Sequence, residues 1–120
     1  MNMTPEVKRL HSPDVAELAA YVPPDPGDFG FLLQVMVGPI GRDAEESFDV
    51  VVCTARWISN HLGPEGILVG LHHLVVDTYD YGRLERFLRQ RVSECRATTW
   101  EQIAARIGRL GRWEFDDYKP

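Results

Sequence analysis

Residues 30–54 read GFLLQVMVGPIGRDAEESFDVVVCT, and this stretch decides the fold class. Two runs rich in β-forming residues, 30–37 and 47–54, flank a segment of turn residues and acids, 38–46. The two runs are therefore predicted to pair as an antiparallel hairpin with a long acidic loop. Because both faces of each run are largely apolar, we expect them to lie in the centre of a sheet.

The segments on either side of the hairpin predict further strands and short helices. On the N-terminal side, residues 5–11 could form a strand and residues 14–20 one or two helical turns, whereas the prolines within 23–28 indicate a loop. On the C-terminal side, residues 55–62 fit a short helix and residues 67–77 read as a third long strand.

Two helices are predicted near the end of the chain. In the first, apolar residues recur at helical spacing from Leu84 to Cys95, and Asp80 is placed to cap its N-terminus. The second begins with a capping box and is predicted to stop at Gly111. The capping-box residues are Thr98 or Thr99 and, three residues on, Glu101 or Gln102.

Strands followed by helices are typical of an α+β fold, with an antiparallel sheet and helices, two of them C-terminal, packed on one face. At 120 residues the chain is expected to form a single domain, residues 1–120. No apolar stretch approaches the ~20 residues of a membrane span, and residues 1–8 lack the pattern of a secretory signal. We therefore expect a cytoplasmic protein.

The net charge of −5 is divided unevenly along the chain. Residues 1–82 hold 12 acidic and four basic residues, whereas residues 83–112 hold eight arginines and three glutamates. The last eight residues carry −2. This division indicates a partner of definite charge or an internal pairing of the two signs. The arginines could contact nucleic acid, but the overall acidity favours a solvated helix face, so no nucleic-acid partner is expected.

His72 and His73, with Asp77 nearby, are the best candidates for catalysis, as a small metal-dependent hydrolase. Successive residues of a strand point to opposite faces, and His73 lies roughly 13 Å from Asp77 at ~3.3 Å per residue. Ordinary sheet histidines are the simpler interpretation. Cys53 and Cys95 have no zinc or disulfide spacing and are expected to be reduced core residues. No catalytic, metal or cofactor site is therefore predicted.

The order of several short motifs resembles the immunity protein 8 family of bacterial polymorphic-toxin systems. The matching residues are Asp28-Phe29-Gly30, Val37-Gly38-Pro39, Ser47-Phe48-Asp49-Val50, Val52-Cys53-Thr54, Trp57-Ile58, Tyr79-Asp80-Tyr81, Thr99-Trp100-Glu101 and Arg112-Trp113-Glu114-Phe115-Asp116-Asp117-Tyr118. The resemblance spans nearly the whole chain. One departure is Ala55, where the family pattern carries proline; this would change the start of a helix but hardly the function.

The resemblance implies an α+β protein without catalytic activity that neutralises a toxin made by the same cell or its kin. A basic, nuclease-like toxin would suit the acidic surface of this chain. The candidate toxin-binding residues are Asp43, Glu45, Glu46, Asp77, Asp80, Glu114, Asp116 and Asp117. The aromatic residues among the last carboxylates fit either an edge strand or anchors for a basic partner. A self-associating adaptor domain is the remaining alternative.

Overall fold

The computed structural model describes residues 1–116 as a sheet of five strands with three α-helices and one 3₁₀ turn, which confirms the α+β class. The elements in chain order are β1 (Pro5–His11), the 3₁₀ turn (Leu18–Ala20), β2 (Gly30–Pro39), β3 (Glu46–Cys53), α1 (Ala55–Asn60), β4 (His73–Val75), α2 (Tyr81–Ser93), α3 (Trp100–Ile107) and β5 (Arg112–Trp113).

The β2–β3 hairpin forms as the sequence predicts. The two strands pair antiparallel from Gly30 opposite Cys53 to Val37 opposite Glu46. β1 pairs antiparallel with the other edge of β2, so both hairpin strands have neighbours on each side. The connecting loop contains Gly41 at φ +80°, a left-handed conformation that glycine adopts without steric cost.

One face of the sheet forms the core. Alternate residues of β2 and β3 are at most 4% exposed, because successive side chains of a strand point to opposite faces. The buried residues of α2 and α3 belong to the same apolar cluster. These sheet and helix residues are Phe31, Leu33, Val35, Val37, Phe48, Val50, Val52, Leu84, Leu88, Val92, Ile103, Ala104 and Ile107.

The helix N-termini are capped as expected. The side chain of Asp80 accepts a hydrogen bond from the backbone N–H of Arg83, and Thr99 forms a complete capping box with Gln102. Ala55 is the first residue of α1, after the cap Thr54. The first position of a helix accepts proline as well as alanine.

The third strand is much shorter than predicted. Of residues 67–77 only His73–Val75 form a strand, and this strand runs parallel to β3. The reason is that β5 occupies the same side of β3 at Phe48 and Asp49, which leaves only Val51–Cys53 for β4. A strand of eleven residues would have no partner there.

Other boundaries also differ from the sequence prediction, among them that of α1, which was expected to reach residue 62 and ends at Asn60. α3 ends at Ile107 with Gly108 as its cap, and Gly111 lies beyond the helix. A Cβ atom on Gly111 would approach Phe48 and Asp49 to 3.2 Å, so this glycine allows close contact with β3. Residues 14–20 contain only the 3₁₀ turn, and the final strand ends at Trp113.

Candidate interaction surfaces

The acidic candidates fall into two groups at opposite ends of β3. The residues of the first group precede β3, begin it or follow β5, and the antiparallel pairing of β5 returns the chain to the start of β3. It contains Asp43, Glu45, Glu46, Glu114 and Asp116 and is called the acidic end below. Asp77 and Asp80 follow β4 at the other end, roughly 23 Å away for the seven steps of β3 at ~3.3 Å each. Asp117 lies outside the described residues.

Glu46 connects three elements and is only partly exposed. Its Oε1 atom accepts hydrogen bonds from the indole N–H of Trp100, at 2.6 Å, and from that of Trp113, at 2.9 Å. The carboxylate therefore links the start of β3 to α3 and β5. This arrangement assigns Glu46 a structural task, and its accepting oxygen faces inward.

The other acids of the acidic end differ in how far they are engaged. Glu45 pairs with Arg9 of β1 at 2.9 Å, and Glu114 accepts a hydrogen bond from the backbone N–H of Ser47 at 2.7 Å. Asp43 and Asp116 are exposed, and neither forms an ion pair with any residue in the range 1–116. Their charges are the most available to a partner.

Asp77 and Asp80 both hold the start of α2. Asp77 lies 2.5 Å from the guanidinium of Arg83, and this hydrogen bond, with a second from the Thr78 N–H, lowers the pKa of the Asp77 carboxyl. Asp80 caps α2 by accepting from the Arg83 N–H at 3.0 Å. These carboxylates already have partners, although Asp77 remains largely exposed.

The histidine pair does not assemble with Asp77. Nε2 of His72 lies 2.6 Å from the carbonyl oxygen of Gly108, and Nδ1 of His73 lies 2.9 Å from that of Leu71. Among the described residues, no three histidine, cysteine or acidic side chains come together as a metal site would require. The observed contacts are those of histidines that stabilise the fold.

The two cysteines are free thiols. Cys53 is fully buried, and burial raises the pKa of its thiol. Cys95 is half-buried against the core, and burial is also the main reason that its pKa is raised. A raised pKa leaves less of the reactive thiolate at neutral pH, which fits the prediction of packing residues.

The sequence does not reveal that the apolar segment before β4 is exposed. Ile67, Val69 and Leu71, expected within a strand, lie in an irregular segment and are 62–76% exposed. Val75 of β4 is also exposed. The sequence does contain this apolar run, interrupted by Gly70. The run is exposed because only Val51–Cys53 of β3 are free to pair with it.

None of the helices described in residues 1–116 is both long and apolar enough to cross a membrane. The family model for immunity protein 8 matches residues 5–118. No curated protein and no solved structure gives a significant match to the chain. The family match covers every strand and helix of the structure.

Proposed function

Since the chain belongs to the immunity protein 8 family, we propose that it binds a cognate bacterial toxin and neutralises it without catalysis of its own. The observation that carries this proposal is the extent of the family match, residues 5–118, which leaves only six residues unmatched. The proposed immunity role, expected from the ordered motifs, therefore rests on a family match that spans almost the whole chain. We place the protein in the cytoplasm and propose that the whole chain acts as one immunity domain.

The acidic end is the proposed contact surface for a basic toxin, such as a nuclease-like domain. Asp43 and Asp116 supply exposed carboxylates that form no internal ion pair among residues 1–116, and Glu45 adds a partly exposed one. Charges placed in this way steer a basic partner and raise the association rate. Glu46 and Glu114 are less available to a partner, because each accepts a hydrogen bond within the fold.

Co-expression with the toxin encoded beside this chain tests the proposal. The toxin alone should arrest growth, and the wild-type chain should restore it. The double variant Asp43→Lys/Asp116→Lys should bind the toxin about tenfold or more weakly, because it reverses two charges at the contact. Glu65→Lys is the matched control for a single charge reversal, since Glu65 is exposed and lies in the loop after α1, outside the acidic end.

Two results would separate the parts of the proposal. Growth arrest that the wild-type chain does not relieve would contradict the immunity function. If the double variant restored growth and bound the toxin with wild-type affinity, the immunity function would stand, but the acidic end would not be the contact surface.

A further inference from the structure

The outer edge of β4 is open for strand addition. The His72 carbonyl and the Val76 N–H point towards β3, where they bond Val51 and Cys53 at 2.9 and 2.8 Å. Because backbone groups alternate along a strand, those of His73 and Val75 point away from β3. Within the described chain no strand pairs with this edge, since β4 has β3 as its single neighbour.

β4 is only three residues long, which itself limits pairing, but it lacks other protective features: none of its residues is acidic, lysine, arginine or proline. Edge strands normally carry charged residues, proline or a covering segment. Here Val75 is 52% exposed, and the three apolar residues of the preceding segment, Ile67, Val69 and Leu71, are more exposed still. Exposed apolar residues in an open edge strand and in the segment that leads into it are typical of a surface that a partner covers.

A groove lies between this edge and the C-terminal helices. It consists of two adjoining cavities of about 310 and 400 Å³ that share Leu74 and Phe87 in their walls. The surface of the first cavity is mostly apolar, and Val75, Val76 and Leu84 line it. Three charged residues also line this cavity: Asp77, Asp80 and Arg83. The groove can therefore take the apolar side chains of an extended segment laid along β4.

The second cavity carries positive charge that the fold leaves unneutralised. Arg91, Arg106 and Arg109 line it, and none of the three lies within ion-pair distance of an acid of residues 1–116. Arg91 lies over the ring of Phe87, at 5.3 Å from its centre, and Arg106 donates to the carbonyl of Arg96. Glu94 is the one acid in the wall. Carboxylates are the groups that would complement three such guanidinium groups.

From these features we infer that one extended and locally acidic segment of the otherwise basic toxin, apolar on one side, adds as a strand to the outer edge of β4. The inference rests on the proposed immunity function. The segment's backbone bonds His73 and Val75, its apolar side chains fill the groove, and its carboxylates pair with Arg106 and Arg109. The largely apolar lining of the first cavity favours such a peptide over a phosphate backbone.

Strand addition can be tested residue by residue with amide hydrogen exchange measured by NMR. The sample is the purified complex of this chain with the toxin encoded by the neighbouring gene. The amides of His73 and Val75 should exchange at least tenfold more slowly in the complex than in the free chain. The amide of Val76 already bonds Cys53, so its exchange should change far less and serves as an internal reference. Unchanged exchange at His73 and Val75 would overturn the inference.

Variants test the groove independently of exchange. Arg106→Glu/Arg109→Glu should weaken toxin binding at least tenfold, whereas Arg86→Glu/Arg96→Glu, exposed residues outside the cavity walls, should change it by less than twofold. Val75→Pro should also weaken binding. Its folding is preserved because proline is tolerated where a strand N–H faces outward, and circular dichroism with urea unfolding checks this.

The remaining outcomes also decide the matter. If wild type binds the toxin and the groove variants bind equally well, the inference fails while the proposed function stands. If wild type binds no toxin, both fail. Protection of His73 and Val75 that rises with the concentration of the free chain would assign the edge to a second copy. Competition by a short RNA would assign the arginines to nucleic acid. Either of these last two results would overturn the inference.

Discussion

Replacement of Glu46 by alanine should destabilise the fold far more than loss of any exposed acid. The change removes the acceptor of two indole N–H groups, those of Trp100 and Trp113, both of which are partly buried. Without Glu46, α3 and β5 lose their shared contact with the start of β3. Neither indole N–H donates to another acceptor within residues 1–116, so without Glu46 each is left to water or without a partner.

The magnitude follows from the charge and burial of the site. A hydrogen bond to a charged group contributes ~1.5–3 kcal/mol, and partial exposure places both bonds near the lower value. Glu46→Ala should therefore lower the free energy of unfolding by about 3 kcal/mol. Glu46→Gln retains an oxygen acceptor and loses only the charge, which should cost about 1 kcal/mol. Glu45→Ala breaks an exposed pair with Arg9 and should cost less than about 1 kcal/mol.

Urea unfolding followed by tryptophan fluorescence measures these differences. With a slope of ~1.5 kcal/mol per M, the midpoint should fall by about 2 M in Glu46→Ala and by about 0.7 M in Glu46→Gln. Equal midpoints for Glu46→Ala and Glu45→Ala would refute the reasoning, because the inward acceptor would then contribute no more than a surface ion pair.

Two further predictions concern a close contact and a titration. Gly30→Ala should destabilise the fold by ~1–3 kcal/mol, because the added Cβ would lie 2.3 Å from the Trp57 ring. Gly70→Ala is the control, since a Cβ at Gly70 meets open space. Equal urea midpoints for the two variants would contradict this prediction. Burial raises the pKa of Tyr79 to about 12, and its hydroxyl donates to the Leu18 carbonyl at 2.5 Å. The unfolded chain loses this proton near pH 10, before the folded chain does, so stability should fall between about pH 10 and about pH 12. Tyr79→Phe should reduce that fall in urea midpoints, and an unaltered pH dependence would contradict the assignment.

The sequence predicts best those features that depend on neighbouring residues. The hairpin follows from two apolar runs around a turn segment, and the caps Asp80 and Thr99 follow from side chains that bond backbone N–H groups three residues on. These contacts are local, so residue type and spacing determine them. The family resemblance likewise depends on ordered motifs along the chain, and the family match confirms it.

Features that depend on distant partners were predicted poorly. The strand expected over residues 67–77 shrinks to His73–Val75 because β5, which follows it by more than thirty residues, takes part of the same side of β3. The two Trp contacts of Glu46 span 54 and 67 residues. From charge alone, Glu46 and Asp43 are equally good candidates for toxin binding. Only the fold shows that the Glu46 carboxylate is bound by two indole N–H groups, whereas the Asp43 carboxylate faces water.

The central claim is that this chain inhibits a toxin by binding it, and titration of the purified toxin domain with the purified chain tests that claim most directly. We predict a saturable complex of defined stoichiometry and loss of the toxin's activity in proportion to the complex formed. Full toxin activity in the presence of excess folded chain, with no complex detected by calorimetry, would contradict the account.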